Sequence, residues 1–346
     1  MAMATVIAIL VCMNICDIVS EVLRYGAVDE GNVEANDEAK DDFIRYMEFT
    51  PTKEALQTAY EWDKETWSEQ THIDWIALLA YGAVKGGGEY NKKAIKAMDN
   101  YANAVRSGER SLEELEELEN YTYYYEILSA VLGGMVGSYR IEVPNSDGSV
   151  IWQECYGLKV FSPIAKGFSY EHYDDFGAGR SYGYERKHLG HDMMGQIGTP
   201  IIAVESGYVE ALGWNQYGGW RIGIRSMDKK RYYYYAHLRQ DYPYAEGLQE
   251  GDLVTAGDVI GYMGHTGYSV SENVNNIETV HLHLGLEIIF DESQKDSDNE
   301  IWIDCYELTK FLYCNQSSVE KVEKGREWKR VYHMEDPVLN SAIVSP

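Results

Sequence analysis

Two histidines two residues apart could do metal or proton-transfer chemistry. His281 and His283 lie in a run in which aliphatic residues occupy the alternate positions. Side chains two apart on a β-strand point the same way, so both imidazoles would project into one space. An isolated pair of this kind is more often two ordinary half-buried histidines, since imidazole is tolerated in many settings. The aliphatic residues that would hold the strand against a core are Val280, Leu282, Leu284 and Leu286.

Two segments upstream add the residue types that a metal site needs. His188 and Asp192 stand four residues apart, and His237 follows in a later segment. Zinc in hydrolases is usually held by three protein ligands from His, Asp or Glu, which leaves one position for water. His188, Asp192 and one ring of the His281 and His283 pair supply that number. The remaining histidines are then free to act as acid, base or transition-state donors.

Several other kinds of site are excluded. The sequence has no His-Glu-x-x-His segment, no Gly-x-Ser-x-Gly elbow and no cysteine in a recognisable nucleophile motif. Its five cysteines form no Cys-x-x-Cys pair and leave one over, so they predict neither a disulfide framework nor a zinc finger. The formal net charge of −26 excludes nucleic acid as a partner, because nucleic-acid binding needs a basic surface.

The elements that must position these residues fall into two classes. Thr50-Pro51 predicts the start of a first helix, and helical apolar spacing recurs to about residue 137. The last of these helices is expected to run without a break from Ser111 to about Val131. From Tyr139 the pattern changes to short β-branched and aromatic runs separated by turn signals, which is typical of an antiparallel sheet. The predicted fold class is α+β, with a small helical domain followed by a mainly antiparallel β domain.

The predicted domain organisation has four parts. Residues 1–42 are an apolar N-terminal segment and an acidic linker, residues 43–137 the helical domain, and residues 139–290 the β domain. Residues 291–346 are a C-terminal extension whose charged tail is expected to be peripheral. The apolar segment is short for a membrane span, which needs ~20 residues. It is an export or anchor segment, the remnant of a longer N-terminus, or a buried helix, and the function implied below favours export or anchoring.

Six motifs occur in an order that resembles the lysostaphin-type (LytM-like) zinc endopeptidases of bacterial cell walls. The resemblance covers roughly residues 161–288, which is under half of the chain. The motifs are His188-Leu189-Gly190-His191-Asp192; Gly198-Thr199-Pro200-Ile201 with Gly207-Tyr208-Val209; Tyr235-Ala236-His237-Leu238; Gly251-Asp252-Leu253-Val254-Thr255-Ala256-Gly257 with Ile260-Gly261; Gly264-His265-Thr266-Gly267; and His281-Leu282-His283.

The resemblance implies a compact antiparallel β fold of the lysostaphin-type peptidases, with a groove across one sheet. It implies that His188, Asp192 and His283 are the zinc ligands. It further implies that His281 is the general base and that His237 hydrogen-bonds the water or the developing oxyanion. Zinc lowers the pKa of its water to ~7, a range in which a nearby imidazole can take up the proton.

The sequence also differs from the common pattern of the family, and one role stays open. A tyrosine before the first ligand often assists in the family, and here either Tyr182 or Tyr184 occupies such a position. His191 stands beside Asp192, and we expect it to support the ligands or to be exposed, because the ligand count is already filled. The link from Ser269 to the His-x-His strand is longer than usual and is expected to border the groove.

The implied function is that of a zinc-dependent endopeptidase, a hydrolase that cleaves peptide stems or cross-bridges of bacterial peptidoglycan. Its expected partners are peptidoglycan peptides, and membrane attachment through the N-terminal segment fits the same function. The expected location is the cell envelope outside the cytoplasm, with the protein either anchored or secreted. The alternative is an envelope scaffold or regulator of other wall hydrolases with little activity of its own.

Overall fold

The computed structural model describes Ile44 and residues 46–182, 184–295, 297–323 and 325–342. The chain divides into two compact units, Met1–Tyr46 and Met47–Pro346. Ile44 and Tyr46 are the described residues of the first unit, so the predicted apolar segment and acidic linker lie outside the described residues. Among the residues that are described, no helix combines the length and apolarity needed to cross a membrane.

The second unit begins with helices whose first turns are capped by polar side chains. The hydroxyl of Thr52 accepts from the backbone N–H of Ala55, and Asp74 and Asn91 cap the next two helices in the same way. The predicted start at Thr50 is two residues early, because the Thr50 hydroxyl instead donates to the carbonyl of Gly88. The helices are α1 (Lys53–Thr66), α2 (Trp75–Gly86), α3 (Lys92–Arg106) and α4 (Tyr121–Leu132).

The prediction of one helix from Ser111 to about Val131 is wrong. A short 3₁₀ turn at Glu113–Glu117 ends at Leu118, whose backbone is extended, and α4 begins only at Tyr121. Asn120 between them has a φ of 65°, a left-handed conformation that an α-helix cannot contain. The two segments can therefore bury Leu115 and Tyr121 separately.

The remainder of the second unit consists mainly of short strands. The strands are β1 (Val136–Pro144), β2 (Val150–Leu158), β3 (Glu171–Tyr173), β4 (Gly179–Tyr182), β5 (Tyr184–Lys187), β6 (His191–Met194), β7 (Pro200–Ile202), β8 (Gly207–Asn215), β9 (Gly219–Ser226), β10 (Arg231–Ala236), β11 (Leu253–Val254), β12 (Val259–Tyr262), β13 (His281–Ile288), β14 (Ile301–Trp302), β15 (Val319–Lys321), β16 (Trp328–Arg330) and β17 (Met334–Glu335). The remaining elements are a 3₁₀ turn at Glu292–Gln294, α5 (Tyr306–Leu312) and α6 (Pro337–Ala342).

The largest sheet has the strand order β11-β8-β9-β10-β13-β6-β3, with β14 paired to β13, and all of these pairs are antiparallel. The predicted α+β class is thereby confirmed. Strand β13 lies between β10 and β6, so it is held on both edges. Its leucines at 282, 284 and 286 are at most 2% exposed, which buries one face of the strand and directs His281 and His283 to the other, as predicted.

The helices contact the strands through buried polar groups as well as apolar ones. Arg231 of β10 donates from Nη1 to the carbonyl of Ala130 in α4 at 2.9 Å, and its Nε and Nη2 pair with Glu205. Arg231 is 2% exposed, so its charge depends on these partners. Phe311 of α5 is fully buried against the ring of Tyr60 in α1. The division into a helical and a β domain stays a prediction.

The expectation of a peripheral C-terminal tail is wrong. Met334 pairs with Ile141 of β1 and joins the apolar cluster around Phe161. Arg330 is 6% exposed and donates to the carbonyl of Ala256 at 2.6 Å. Asp336, 4% exposed, pairs with Lys159. Arg330 and Asp336 are thus buried with partners, and charge density along the sequence cannot distinguish them from solvated charges such as Glu320 and Lys329.

Candidate metal centre

Asp192 and His283 are directly opposite each other in the β6–β13 ladder. Opposed residues on an antiparallel pair share a face, so the carboxylate and the imidazole meet on the side away from the leucines. Asp192 Oδ1 lies 3.0 Å from His283 Nδ1. The side chains are only 7% and 13% exposed. A local alternation of residues thus places two of the three predicted ligands together.

His188 enters from the turn that precedes β6. Its Nε2 lies 3.0 Å from Asp192 Oδ1 and 2.8 Å from His283 Nδ1. The three possible ligand atoms are all within 4.8 Å of one another. The structure therefore brings His188, Asp192 and His283 into one buried cluster.

The donor set of this cluster fits a metal cation. Nδ1 of His188 donates to the backbone carbonyl of Asp175 at 3.2 Å, so the neutral ring has a lone pair on Nε2. That lone pair faces the carboxylate of Asp192 and a nitrogen of His283. Such groups repel one another unless a positive charge lies between them. Two imidazoles and one carboxylate are a ligand set typical of zinc in hydrolases.

His281 and His237 lie beside the cluster. His281 Nε2 is 3.7 Å from Asp192 Oδ1, and its Nδ1 donates to the carbonyl of Thr279 at 2.9 Å. His237 follows the end of β10, with its ring centroid 4.7 Å from that of His281. Nδ1 of His237 donates to the carbonyl of Thr266 at 2.9 Å. Each ring therefore has Nδ1 occupied by the backbone and Nε2 as the nitrogen left for chemistry.

The backbone of His237 is strained. Its φ is 62°, in the left-handed region that residues other than glycine seldom adopt. The surrounding hydrogen bonds hold it there, since its N–H donates to the carbonyl of Gly218 at 2.7 Å. Backbone strain of this type is concentrated at functional sites.

Burial and charge set the protonation of the site. Burial lowers the pKa of His237 well below its usual value, and the nearby His281 and His283 lower it further. Burial also lowers the pKa of His283, although its contact with Asp192 opposes that change. Burial alone would raise the pKa of Asp192, but its contacts with His188 and His283 outweigh this and hold the pKa well below the usual range. The carboxylate is thus ionised and the two imidazoles are neutral, the forms that bind metal or accept a proton.

Three comparisons with known proteins bear on this site. Residues 186–296 match the model of peptidase family M23. Residues 186–296 form a domain of peptidase family M23.

The chain is 38% identical to an L-Ala--D-Glu endopeptidase of Bacillus subtilis over 124 residues, and this segment covers 36% of this chain and 36% of that protein. It is 37% identical to lysostaphin of Staphylococcus simulans over 89 residues, and this segment covers 25% of this chain and 17% of that protein. The catalytic domain of S. simulans lysostaphin, as a solved structure, aligns with a TM-score of 0.32 at 29% identity, covering 41% of this chain and 92% of that one.

Two residues that contact the ligands lie upstream of the M23 domain and were missed from sequence. The carboxylate of Asp175 is 3.0 Å from Nδ1 of His188 and forms an ion pair with Arg180. Arg180 Nη2 also lies 3.5 Å from Oδ2 of Asp192, the oxygen that faces away from the histidines. These residues lie beside two of the candidate ligands. No spacing in the sequence indicates them, because Asp175 reaches the site from the loop after β3 and Arg180 from the β4–β5 hairpin.

His191 does not belong to the candidate metal centre, and the expectation that it supports the ligands or is exposed is wrong. It is opposite Leu284 in the ladder and therefore lies on the core face, where it is 2% exposed. Its Nδ1 is 2.8 Å from the Thr309 hydroxyl and its Nε2 is 3.1 Å from Nδ1 of His172. Burial lowers the pKa of His191 to about 3, which keeps it neutral.

A groove runs over the centre of the M23 domain. The long link before β13 forms part of its wall through Ile277, Glu278 and Thr279, as the sequence predicts. Tyr182 is half-buried and stacks on Tyr268 with ring centroids 5.2 Å apart. The side chain of Tyr184 lies outside what the structure describes. The other lining side chains used below are Arg180, Arg186, Tyr217 and Glu278.

Proposed function

We propose that this chain is a zinc-dependent endopeptidase that cleaves peptide stems or cross-bridges of peptidoglycan. The observation that supports it most is the convergence of His188, Asp192 and His283 within 4.8 Å, with His281 and His237 on the same groove. The relatives named above are an L-Ala--D-Glu endopeptidase and lysostaphin. The aligned segments span about a third of the first protein and about a sixth of the second, so the activity of the whole chain is itself a proposal.

The roles within the site follow from the hydrogen bonds. His188, Asp192 and His283 would hold zinc, which when bound polarises a carbonyl and makes water acidic enough to attack it near neutral pH. His281 has Nε2 free and its ring fixed by Thr279, so we assign it the general-base role of taking the proton from water. His237 is neutral with Nε2 free, so it orients the water as an acceptor and can donate to the oxyanion only after it gains a proton.

The location follows from the substrate. Peptidoglycan lies outside the cytoplasmic membrane, so we place the protein in the cell envelope, with export or anchoring through residues 1–42. The high negative charge of the chain gives no general attraction to anionic wall polymers. Recognition must therefore come from the groove.

One experiment tests the proposal directly. Purified peptidoglycans with different cross-bridges are digested with the zinc-loaded full chain, and the released fragments are identified by mass. We expect new amino and carboxyl termini at one peptide bond, loss of cleavage after chelation, and recovery with zinc. The His283→Ala protein is the control and should release nothing. Absence of any cleaved peptide bond with a zinc-loaded, folded protein would overturn the proposal.

A further inference from the structure

Two arginines face the groove from the β4–β5 hairpin. Arg180 and Arg186 are directly opposite each other in that hairpin, so they share a face. Both line the groove together with the candidate metal ligands. The guanidinium of Arg180 is already occupied by Asp175 and Asp192. Among the described residues, Arg186 has no comparable carboxylate partner.

Arg186 is held by aromatic rings instead of by an acid. Its guanidinium carbon lies 5.1 Å from the ring centroid of Tyr217 and 5.2 Å from that of Tyr268. Its Nε is buried and has no hydrogen-bond partner among the described residues. No described carboxylate forms an ion pair with Arg186, although other arginines of the chain do so repeatedly. Cation–π contacts fix the guanidinium plane but leave its N–H donors unused.

Among the described residues, Arg186 shares the lack of a carboxylate partner with Arg221 and Arg239, but of these three only Arg186 lines the groove. The sequence has 56 acidic residues against 30 basic ones, so carboxylates are abundant. Two acidic side chains line the groove: Asp192, which contacts Arg180, and the exposed Glu278. Among the described residues, neither forms an ion pair with Arg186. A planar guanidinium that is stacked and has free donors binds a carboxylate in a bidentate manner. The missing partner of Arg186 is thus expected to arrive with the ligand.

We propose that Arg186 forms a carboxylate-binding subsite beside the metal centre, and that the substrate is a peptide with a free carboxylate close to the scissile bond. This rests on the proposed peptidase function and narrows its substrate class. A peptide with no free carboxylate near the scissile bond, such as the interior of a long glycine bridge, leaves the buried Nε unpaired and is selected against. The carboxylate belongs either to an acidic residue within the peptide or to the peptide's C-terminus.

Binding is tested apart from cleavage. The zinc-loaded His281→Ala full chain is titrated by calorimetry with three synthetic stem peptides of the sequence Ala–D-Glu–Lys–Ala. One has both carboxylates free, one has the D-Glu carboxylate as the amide, and one has the C-terminus as the amide. We expect one of the amides to bind about 10- to 100-fold more weakly, the usual range for a lost charged hydrogen bond. The weaker amide identifies which carboxylate Arg186 binds.

A second substitution assigns that preference to Arg186. Adding Arg186→Gln should weaken binding of the all-carboxylate peptide to the level of the weaker amide and leave that amide unchanged. Lys187→Gln removes the same charge from an exposed position on the opposite face of β5 and should preserve the preference. Equal binding of all three peptides, no measurable binding of any, or equal losses on all three in Arg186→Gln would overturn the subsite. Wild-type protein that binds the carboxylate selectively but cleaves nothing would overturn the peptidase function and leave the subsite standing.

Discussion

Asp192 Oδ1 lies 3.0 Å from His188 Nε2 and 3.0 Å from His283 Nδ1, so a single carboxylate oxygen joins the β6–β13 ladder to the turn before it. The relationship between Asp192 and His283 is a cross-strand pair, which the sheet holds rigidly. His188 stands four residues before Asp192 in the sequence and contacts it from the turn before β6. Two of the three candidate ligands are therefore on paired strands, which favours precise ligand placement, and the third lies in the turn next to them.

Asp192→Ala should abolish stoichiometric zinc binding. The substitution removes one of three ligands and leaves two imidazoles facing each other in a buried site. Zinc content of the purified protein, measured by elemental analysis, gives the result. Asp174→Ala is the matched control, since Asp174 is exposed and close in sequence to the site. Equal zinc content in Asp192→Ala and wild type would contradict the assignment.

His281→Ala and His237→Ala should keep the metal and lose turnover. Each residue has its Nδ1 bound to a backbone carbonyl and lies beside the cluster instead of inside it. We expect kcat on a cleavable wall peptide to fall by ~100-fold or more, the usual scale for a lost proton-transfer or oxyanion partner. If either variant loses zinc, the roles of the histidines must be exchanged.

Asp175→Asn should weaken zinc binding without removing a ligand. The carboxylate lies 3.0 Å from Nδ1 of His188 and pairs with Arg180, so it places a negative charge beside a candidate ligand and neutralises the arginine. Loss of such an outer partner costs ~10- to 100-fold in metal affinity. Competition with a chelator measures the affinity, and Asp174→Asn is the control of equal charge change. Identical zinc affinities for the two variants would show that Asp175 has no part in the site.

Gly190→Ala should displace His283. A Cβ at this glycine would lie 2.5 Å from Cε1 of His283 and 2.8 Å from the backbone oxygen of Leu284. Because one of these atoms belongs to the backbone of β13, a side-chain rotation cannot remove the clash. We expect destabilisation of about 1–3 kcal/mol, the usual cost of overpacking, together with weaker zinc binding. Gly179→Ala is the control, because nothing lies within 4 Å of its Cβ position. Thermal unfolding and chelator competition report the two effects, and unchanged zinc affinity in Gly190→Ala would refute the packing argument.

A chain shortened to begin at Tyr139 should be less stable than the full chain, although every site residue is retained. It lacks the Ala130 carbonyl that accepts from buried Arg231, and it exposes Phe311 where α1 covered it. The lost acceptor alone costs about 1–3 kcal/mol. The unfolding temperature of the two zinc-loaded proteins decides the point. Equal unfolding temperatures would show that residues 43–137 are an independent domain, as the sequence pattern predicts.

The sequence was sufficient for the parts of this site that depend on local geometry. Period-two alternation in β13 places His281 and His283 on one face and the leucines on the other. Turn signals and β-branched runs indicate antiparallel strands after Tyr139, and the α+β class follows. Capping residues likewise predict the start of the first helix to within about two residues, since the cap is Thr52 and the predicted cap was Thr50.

The tertiary structure decided whatever depends on strand register and on elements distant in the sequence. Asp175 and Arg180 reach the ligands from the loop after β3 and from the β4–β5 hairpin. Arg186 shares a face with Arg180 because the two residues are paired in that hairpin. His191 looks like a ligand in sequence, yet one position along a strand reverses its face and buries it against Thr309 of α5. The physical reason is the same in each case: side-chain direction alternates locally, but what a side chain meets is set by the strand or helix laid against it.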